Sequence, residues 1–543
     1  MSCLRLLTLA ILACGLSEAV AAEGLRSRVE SYVAANQKEI LNELWQALHI
    51  PAVAGDEVRS REKAVFLLER LRQRGFEAEL LETDGNPLVY GERRQEGASR
   101  TLLLYAHYDG QPVDPAKWSQ DDPFRPVLRD GKLDEGGEVI DFAATSHFEP
   151  DWRLYGRSVS DDTGPIIALL VALDALDSLG LAPTSNLRVV LDGEEEAGSP
   201  NLVPAIERYR DKLTADLMLI LDGPLHQTGR PTLVYGARGN VTMELTVFGP
   251  RVPLHSGHYG NWVPNPAMRL AQLLASMKDD EGRVVVEGFY DGIELSESDE
   301  RVLASVPDDL EGLERRYGFS ETDRVGSSLQ EALQYPSLNV RGLRSGWVGS
   351  EARTIIPDRA IAAVDVRLVA ETDADAMYEK VMAHIREQGY HVVLEEPDDE
   401  TRARHGRIVQ VRRSKGTNAF RTSLEEPRTT SLVDALTETW NEPPIRVRSM
   451  GGTVPIAPFI ETLGFAAIAV PTVNFDNNQH SPNENLRLGH LFDSIVSFAA
   501  IFSQAQAAPL GLFEEHGAWA RPHSRAQPPG TPPRRSTGWP APA

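Results

Sequence analysis

Apolar residues along the chain fall into short continuous runs that are separated by segments with the spacing of helices. Nearly unbroken apolar runs occur at residues 101–106, 186–193, 215–223 and 465–471, and a long apolar segment at 164–180 has the length of a helix. Strands that are apolar on both faces, alternating with helices, are typical of a parallel sheet covered on both sides. The pattern therefore predicts an α/β fold with a mainly parallel sheet sandwiched by helices.

The pattern of the chain changes near residue 238. The segment VTMELTVFG alternates apolar and polar residues as a half-buried strand does, and a helix is predicted at 265–277. A further strand and helix follow over residues 360–385, and the earlier pattern resumes only after a helix predicted at 430–440. We therefore predict an inserted α+β domain.

Both ends of the chain differ from its interior. The first residues place Arg5 before an apolar run and finish in small residues, which is the layout of a secretory signal, with a lipoprotein signal ending before Cys14 as an alternative. No other run approaches about 18 apolar residues, so no membrane span is expected. We expect an exported protein, periplasmic or secreted. The predicted organisation is a signal peptide (1–22), the main domain (23–237 and 412–507), the inserted domain (238–411) and a disordered Pro-rich tail (508–543).

Composition narrows the possible chemistry. The chain has 543 residues and a formal net charge of -24 at pH 7, which argues against nucleic acid as a partner because such binding relies on clustered Lys and Arg. The two cysteines, Cys3 and Cys14, both lie in the predicted signal peptide. Neither a disulfide nor a thiol nucleophile is therefore expected in the processed protein.

Polar residues that can bind metals follow the predicted core strands. In open α/β sheets ligands bind beyond the carboxyl ends of the strands, so these positions are candidates for a site. The candidates are His107 and Asp109, Asp161 and Asp162, Glu194, Glu195 and Glu196, Asp222, and His480. A single histidine after a strand is more often structural, and a run of glutamates is usually a solvated turn. Together they match the nitrogen and oxygen ligands of zinc, cobalt or manganese.

Several motifs in this order resemble one enzyme family. They are LLLYAHYDGQPVD, LYGRSVSDDTGP, LDGEEEAGSPNL, LILDGP, LHSGHYGN, TIIP, DVRLV, GGTVP and HSPNE. The sequence resembles the dizinc exopeptidases that include aminoacylase, carnosinase, bacterial dipeptidases and carboxypeptidase G, and is most similar to the carnosinase or nonspecific dipeptidase branch. The resemblance covers residues 34–507. It implies a zinc-exopeptidase-like catalytic domain with an inserted lid and dimerisation domain.

The resemblance also implies the residues of a site with two divalent ions, zinc by expectation and manganese or cobalt as alternatives. Asp161 would bridge the two ions and be followed by a cis peptide bond to Asp162. One ion would be held by His107, Asp161 and Asp222, and the other by Asp161, Glu196 and His480. Glu195 would be the general base for a water shared by the ions, and Asp109 would orient His107.

Residues of the inserted domain are assigned by the same resemblance. His255 would reach the active site of the partner subunit of a homodimer and stabilise the oxyanion, although a loop histidine without a role is the alternative. Arg367 would bind the carboxylate of the substrate, or else form a surface ion pair. Thr354, Gly452 and Thr453 align with positions that touch the substrate.

These assignments predict a metallopeptidase that cleaves dipeptides or small peptides. An aspartate at position 222 favours a dipeptidase over a carboxypeptidase, whereas Thr163 departs from the lysine that carnosinases have there. A deacylase of N-acyl amino acids, which needs the same metals and base, is the alternative enzyme. A peptide-binding or metal-binding protein that has lost catalysis is the third hypothesis.

Overall fold

The computed structural model describes residues 3–53 and 55–504, with side chains from residue 24 onward. The side chains of the predicted signal peptide (1–22) and the predicted disordered tail (508–543) lie outside the described residues. The strands of the second sheet run from Gly239 to Arg413, and the boundaries predicted for the inserted domain are 238 and 411.

Helices and strands alternate along the described chain. The helices are α1 (Cys3–Leu48), α2 (Glu57–Gln73), α3 (Gly164–Ser178), α4 (Leu202–Arg208), α5 (Arg210–Leu213), α6 (Ser256–Tyr259), α7 (Pro266–Ala275), α8 (Glu297–Ser305), α9 (Leu310–Tyr317), α10 (Leu329–Ala332), α11 (Ala374–Glu387), α12 (Asp399–Arg404), α13 (Thr430–Trp440), α14 (Ala457–Leu463) and α15 (Leu488–Ser503). The strands are β1 (Glu77–Leu81), β2 (Leu88–Arg93), β3 (Thr101–His107), β4 (Val127–Arg129), β5 (Arg153–Tyr155), β6 (Asn186–Asp192), β7 (Leu217–Ile220), β8 (Thr232–Val234), β9 (Gly236–Ala237), β10 (Gly239–Phe248), β11 (Leu254–His255), β12 (Ser337–Arg344), β13 (Ile355–Ile356), β14 (Arg359–Leu368), β15 (His391–Val393), β16 (Ile408–Arg413), β17 (Phe420–Arg421), β18 (Ile445–Val447), β19 (Ala466–Ala469) and β20 (Asn485–Arg487).

The larger sheet has eight strands in the order β1-β2-β6-β3-β7-β19-β8-β18. Its centre is parallel, since β6, β3, β7 and β19 all run in one direction. The β1 and β2 strands pair antiparallel at one side, and β8 meets β19 antiparallel at the other. The prediction of a mainly parallel sheet is confirmed for the strands that carry the site.

Helices cover both faces of this sheet, and the alternation of side chains along β3 shows why. Leu102, Leu104 and Ala106 pack with α1, α3 and α15 on one face. Leu103 and Tyr105 point to the other face, toward α4 and α14. Because both faces of β3 are buried, polar residues cannot alternate with apolar ones along it. The strand is therefore an unbroken apolar run.

The second sheet belongs to the inserted region and has five strands in the order β12-β14-β10-β16-β15. All of its pairs are antiparallel except β15 with β16. The α7 and α11 helices cover one face, where Leu270, Met377 and Ile385 are buried against the strands. The β12 strand lies at an edge of this sheet. The predicted inserted α+β domain is confirmed as part of the fold.

Candidate metal centre

The donor side chains meet at the carboxyl edge of the parallel strands. His107 is the last residue of β3, Glu196 follows β6, and Asp222 follows β7. Asp161 lies in a short helical turn, Val159–Thr163, directly before α3, and its peptide bond to Asp162 is cis. His480 comes from the loop after β19. The structure therefore brings together the five residues that were predicted as metal ligands.

Asp161 stands between the two histidines. His107 Nε2 lies 2.9 Å from Asp161 Oδ1, and His480 Nε2 lies 3.1 Å from Asp161 Oδ2. His480 Nε2 is also 3.2 Å from Glu196 Oε2. Two groups of donors result, His107 with Asp161 and Asp222, and Asp161 with Glu196 and His480, and the donor atoms of each lie within 4.8 Å of one another.

The donor set fits two divalent ions that share Asp161. Among the described residues, Asp222 Oδ1 is buried and has no hydrogen-bond partner. A buried carboxylate oxygen without a partner is costly unless a cation binds it. Imidazole nitrogen with carboxylate oxygen is the donor mixture that zinc and its neighbours accept.

The electrostatics of the centre show how strongly these groups depend on positive charge. Burial, together with the charge of Asp161, raises the pKa of Asp222 to about 6 and that of Glu196 to about 7. The hydrogen bond to Asp161 raises the pKa of His480 to about 9. Burial alone would lower the pKa of His107, but its bonds to Asp109 and Asp161 raise it well above the usual value. A bound cation would offset the repulsion between these carboxylates.

Asp109 contacts both a predicted metal ligand and the turn that carries the predicted general base. Its Oδ1 lies 3.4 Å from His107 Nδ1, as expected for a residue that orients the imidazole. The same carboxylate accepts hydrogen bonds from the backbone N–H groups of Glu195, at 3.2 Å, and Glu196, at 3.1 Å. Asp109 thus also positions the turn that carries the predicted base. Burial raises the pKa of Glu195 well above its usual value.

Glu484 is a structural residue of the centre that sequence reasoning missed. It is fully buried and accepts hydrogen bonds from the backbone N–H groups of Ser158, Ser160 and Asp161 at 2.9–3.1 Å. The Arg157 guanidinium donates to it at 2.7 Å. Its place in the HSPNE motif, four residues after His480, could have indicated this role from the sequence. Glu484 fixes the backbone that presents Asp161.

Three further polar residues support the donors. Asp162 accepts a hydrogen bond from the backbone N–H of His107 at 3.3 Å, and Gln111 donates to Glu196 Oε2 at 2.6 Å. Lys63, on α2, is 1% exposed and donates to Thr163 Oγ1 at 2.9 Å. Nothing in the sequence marks Lys63, because it reads as one position of an ordinary amphipathic helix.

A cavity of about 810 Å³ opens onto the metal centre. Residues of both the main domain and the inserted region line it. Asp161, Glu195, Glu196, Asp222 and His480 form one part of its lining. The predicted substrate-binding residues Arg367, Gly452 and Thr453 form another, and Arg367 Nη1 donates to Thr453 Oγ1 at 2.9 Å. These three residues therefore share one cavity with the metal ligands.

His255 and Thr354 lie elsewhere. Both are exposed, on the paired strands β11 and β13 or beside them, and the Thr354 carbonyl accepts a hydrogen bond from the Ser256 N–H at 3.0 Å. Neither is among the described residues that line the cavity. Within one chain the structure does not bring His255 and Thr354 to the centre.

The fold and this centre define a hydrolase that uses two metal ions. Residues 103–504 match the family described as peptidase family M20/M25/M40, and the chain belongs to that family. It is a metal-dependent peptidase, as the sequence predicted.

Similar proteins agree with this assignment. The Cys-Gly metallodipeptidase DUG1 of Candida albicans is 27% identical over 473 residues, which cover 82% of this chain and 90% of that protein. The human Beta-Ala-His dipeptidase is 25% identical over 425 residues, 77% of each chain. The solved structure of an M20 family metallo-carboxypeptidase, Sso-CP2 from Sulfolobus solfataricus, has a TM-score of 0.71 and 29% identity, covering 86% of this chain and 99% of that one.

The predicted export of the protein, to the periplasm or outside the cell, is wrong on this comparison. The enzymes of three yeasts that match 82–87% of the chain are described as Cys-Gly metallodipeptidases, with no mention of export. They do not support an exported location. Within the described part of the chain, no helix has both the length and the apolar character that crossing a bilayer requires.

Proposed function

We propose that the protein hydrolyses dipeptides with a free C-terminal carboxylate, using two zinc ions and Glu195 as the general base. The observation that carries the proposal is one cavity in which two donor groups share Asp161, with Glu195 beside them and Arg367 in the same lining. The similarity to Cys-Gly and Beta-Ala-His dipeptidases supports dipeptides as the substrate class.

The residues of the cavity divide the work of amide hydrolysis. Two divalent ions in the donor groups would supply Lewis acidity that polarises the scissile carbonyl and acidifies the attacking water. Glu195, whose pKa burial raises, takes the proton of that water and delivers it to the leaving amine. Arg367, held by Thr453, binds the substrate carboxylate and so fixes the position of the scissile bond.

We also propose a homodimer formed through the inserted domain. The β12 edge strand exposes Val340 and Leu343, which are 41% and 62% exposed, and a free apolar edge favours pairing with a second copy. Exposed aromatic residues, Trp262 and Trp347, lie in the same region of the chain. In such a dimer His255 would serve the partner's centre, which agrees with its exposed position here.

The test is hydrolysis of a panel of dipeptides, tripeptides and N-acetyl amino acids by protein that has been stripped with chelator and reloaded with zinc, manganese or cobalt. Wild type is expected to cleave dipeptides only when reloaded. Glu195→Gln is expected to lower kcat by about 10²–10⁴-fold, since it removes general base catalysis. The exposed Glu207→Gln on α4 is the matched control and keeps full activity.

Each alternative gives a different result in this experiment. Cleavage of N-acetyl amino acids alone would identify a deacylase. Cleavage that survives in Glu195→Gln would remove the proposed base, and higher activity with manganese than with zinc would replace the proposed metal.

A further inference from the structure

One wall of the cavity is apolar. The end of helix α10 in the inserted region and strand β18 with its following loop supply most of it. The apolar residues of this wall are Leu225, Leu329, Leu333, Val447, Met450 and Val454. Val447 and Val454 are buried, whereas Leu333 and Met450 are half-buried and border the open space.

The apolar wall begins next to the proposed carboxylate site. Val454 directly follows Thr453, which bonds Arg367, and a Cβ atom placed on Gly451 would lie 3.3 Å from Leu333 Cδ2. On its other side the wall reaches the metal ligands, since a Cβ atom on Gly223 would lie 3.9 Å from the sulfur of Met450. The wall therefore spans the space between carboxylate site and metal centre.

Three polar side chains that share this cavity with the wall are bonded to one another. His226 Nε2 lies 3.0 Å from Asp308 Oδ1, and Gln330 Nε2 donates to Asp308 Oδ2 at 3.0 Å. This set holds the segment between α8 and α10 against the catalytic domain. Asp308, the charged member of this set, is therefore already bonded to two side chains.

We infer that the enzyme prefers dipeptides whose C-terminal residue has a bulky apolar side chain. This inference rests on the proposed function, because it takes Arg367 and Thr453 as the carboxylate site. The carboxylate and the side chain of a C-terminal residue leave the same Cα atom, so anchoring one beside Thr453 places the other on the wall of Leu333, Met450 and Val454. A cavity of about 810 Å³ has room for such a side chain.

The size of the preference follows from the apolar surface that is buried. Removing the side chain of a leucine from water favours its dipeptide over that of glycine by roughly tenfold to a hundredfold in kcat/KM. With the carboxylate bound beside Thr453, the proposal places the C-terminal side chain on the wall and the N-terminal side chain on the other side of the scissile bond. Gly-Leu is therefore expected to be a better substrate than both Gly-Gly and Leu-Gly.

The experiment compares kcat/KM for Gly-Leu, Gly-Phe, Gly-Ser, Gly-Gly and Leu-Gly with the metal-loaded enzyme. Two variants remove apolar side chains from the wall, Leu333→Ala and Leu329→Ala. Because Leu329 is 38% exposed, its replacement is not expected to disturb folding. Each is expected to lower the Gly-Leu to Gly-Gly ratio of kcat/KM by about threefold to tenfold, because Gly-Gly has no C-terminal side chain to contact the wall. Leu310→Ala, at a leucine of α9 that is 42% exposed and outside the described cavity lining, is the matched control.

Two results would overturn the inference while leaving the proposed function intact. They are equal kcat/KM for Gly-Leu and Gly-Gly in wild type, and a ratio that neither wall variant changes. If metal-loaded wild type cleaves no dipeptide at all, the proposed function fails, and the inference fails with it.

Discussion

Asp161 shows how much of the centre depends on single residues. Its two carboxylate oxygens contact different histidines, and both donor groups include it. Burial would raise its pKa, but His107 and His480 lower it below the usual value, so this carboxylate stays ionised in a buried place. Around it, Glu484 and Asp162 accept hydrogen bonds from backbone N–H groups. These bonds do not occupy the side-chain atoms that would bind cations.

Lys63 gives a prediction that needs no bound metal. Burial lowers its pKa from 10.5 to about 8, even though the carboxylates of Asp109, Glu484 and Asp162 oppose that change. Between these two pH values the unfolded chain holds a proton that the folded chain has lost. The free energy of unfolding of wild type should therefore rise with pH, relative to Lys63→Met, by roughly 3 kcal/mol from pH 8 to pH 10.5.

Urea unfolding of both chelator-treated proteins at several pH values measures this difference. Lys212→Met, at a side chain that is 40% exposed, serves as the control and should run parallel to wild type. A Lys63→Met curve that also runs parallel would show that Lys63 titrates as an exposed lysine does.

At the scale of elements, the sequence predicted what local patterns encode. Strands β3, β6, β7 and β19 lie at the predicted apolar runs. Helices α3 and α13 lie where helices were predicted. Because parallel strands end at one edge, residues next to strand ends could be grouped into one centre from sequence. The support from Lys63 and Glu484 could not be predicted this way, since it joins α2 and a distant loop to the turn before α3. The apolar wall was missed for the same reason.

The β12 strand carries a prediction about assembly. If its exposed edge forms the dimer, the double variant Val340→Asp with Leu343→Asp places charges on both subunits at the contact and should convert dimer to monomer. Size-exclusion chromatography with light scattering measures the mass. Val58→Asp on α2, where the valine is 79% exposed, is the control and should remain dimeric. A monomeric wild type at micromolar concentration, or a dimeric double variant, would contradict this edge as the interface.

At the scale of the whole molecule, the two sheets serve different purposes. The eight-stranded sheet presents the metal ligands, and the elements around the five-stranded sheet supply one side of the cavity together with Arg367. His255 and Thr354, in contrast, lie away from the cavity of their own chain. A complete active site would then require residues from two copies of the protein.

Mixing two inactive variants tests this arrangement. In a heterodimer of His255→Ala with Glu195→Gln, one site has an intact Glu195 and receives His255 from the partner. Random pairing of equal amounts should restore roughly a quarter of the wild-type sites, because half of the dimers are heterodimers with one working site each. Dipeptidase activity after mixing, unfolding and refolding together is the measurement.

The control carries Glu195→Gln, Val340→Asp and Leu343→Asp in the same chain. Its mixture with His255→Ala should stay inactive. High activity of His255→Ala by itself would exclude the shared site.

The order of the metal ligands along the chain has a consequence for biosynthesis. One donor group is complete once Asp222 has been made, whereas the other needs His480, and Glu484 must follow before the turn around Asp161 is held. A ribosome therefore produces the ligands of the two ions at different times. The nascent chain contains every ligand of the first group well before His480 is made, so the second group sets the time at which the centre can be completed.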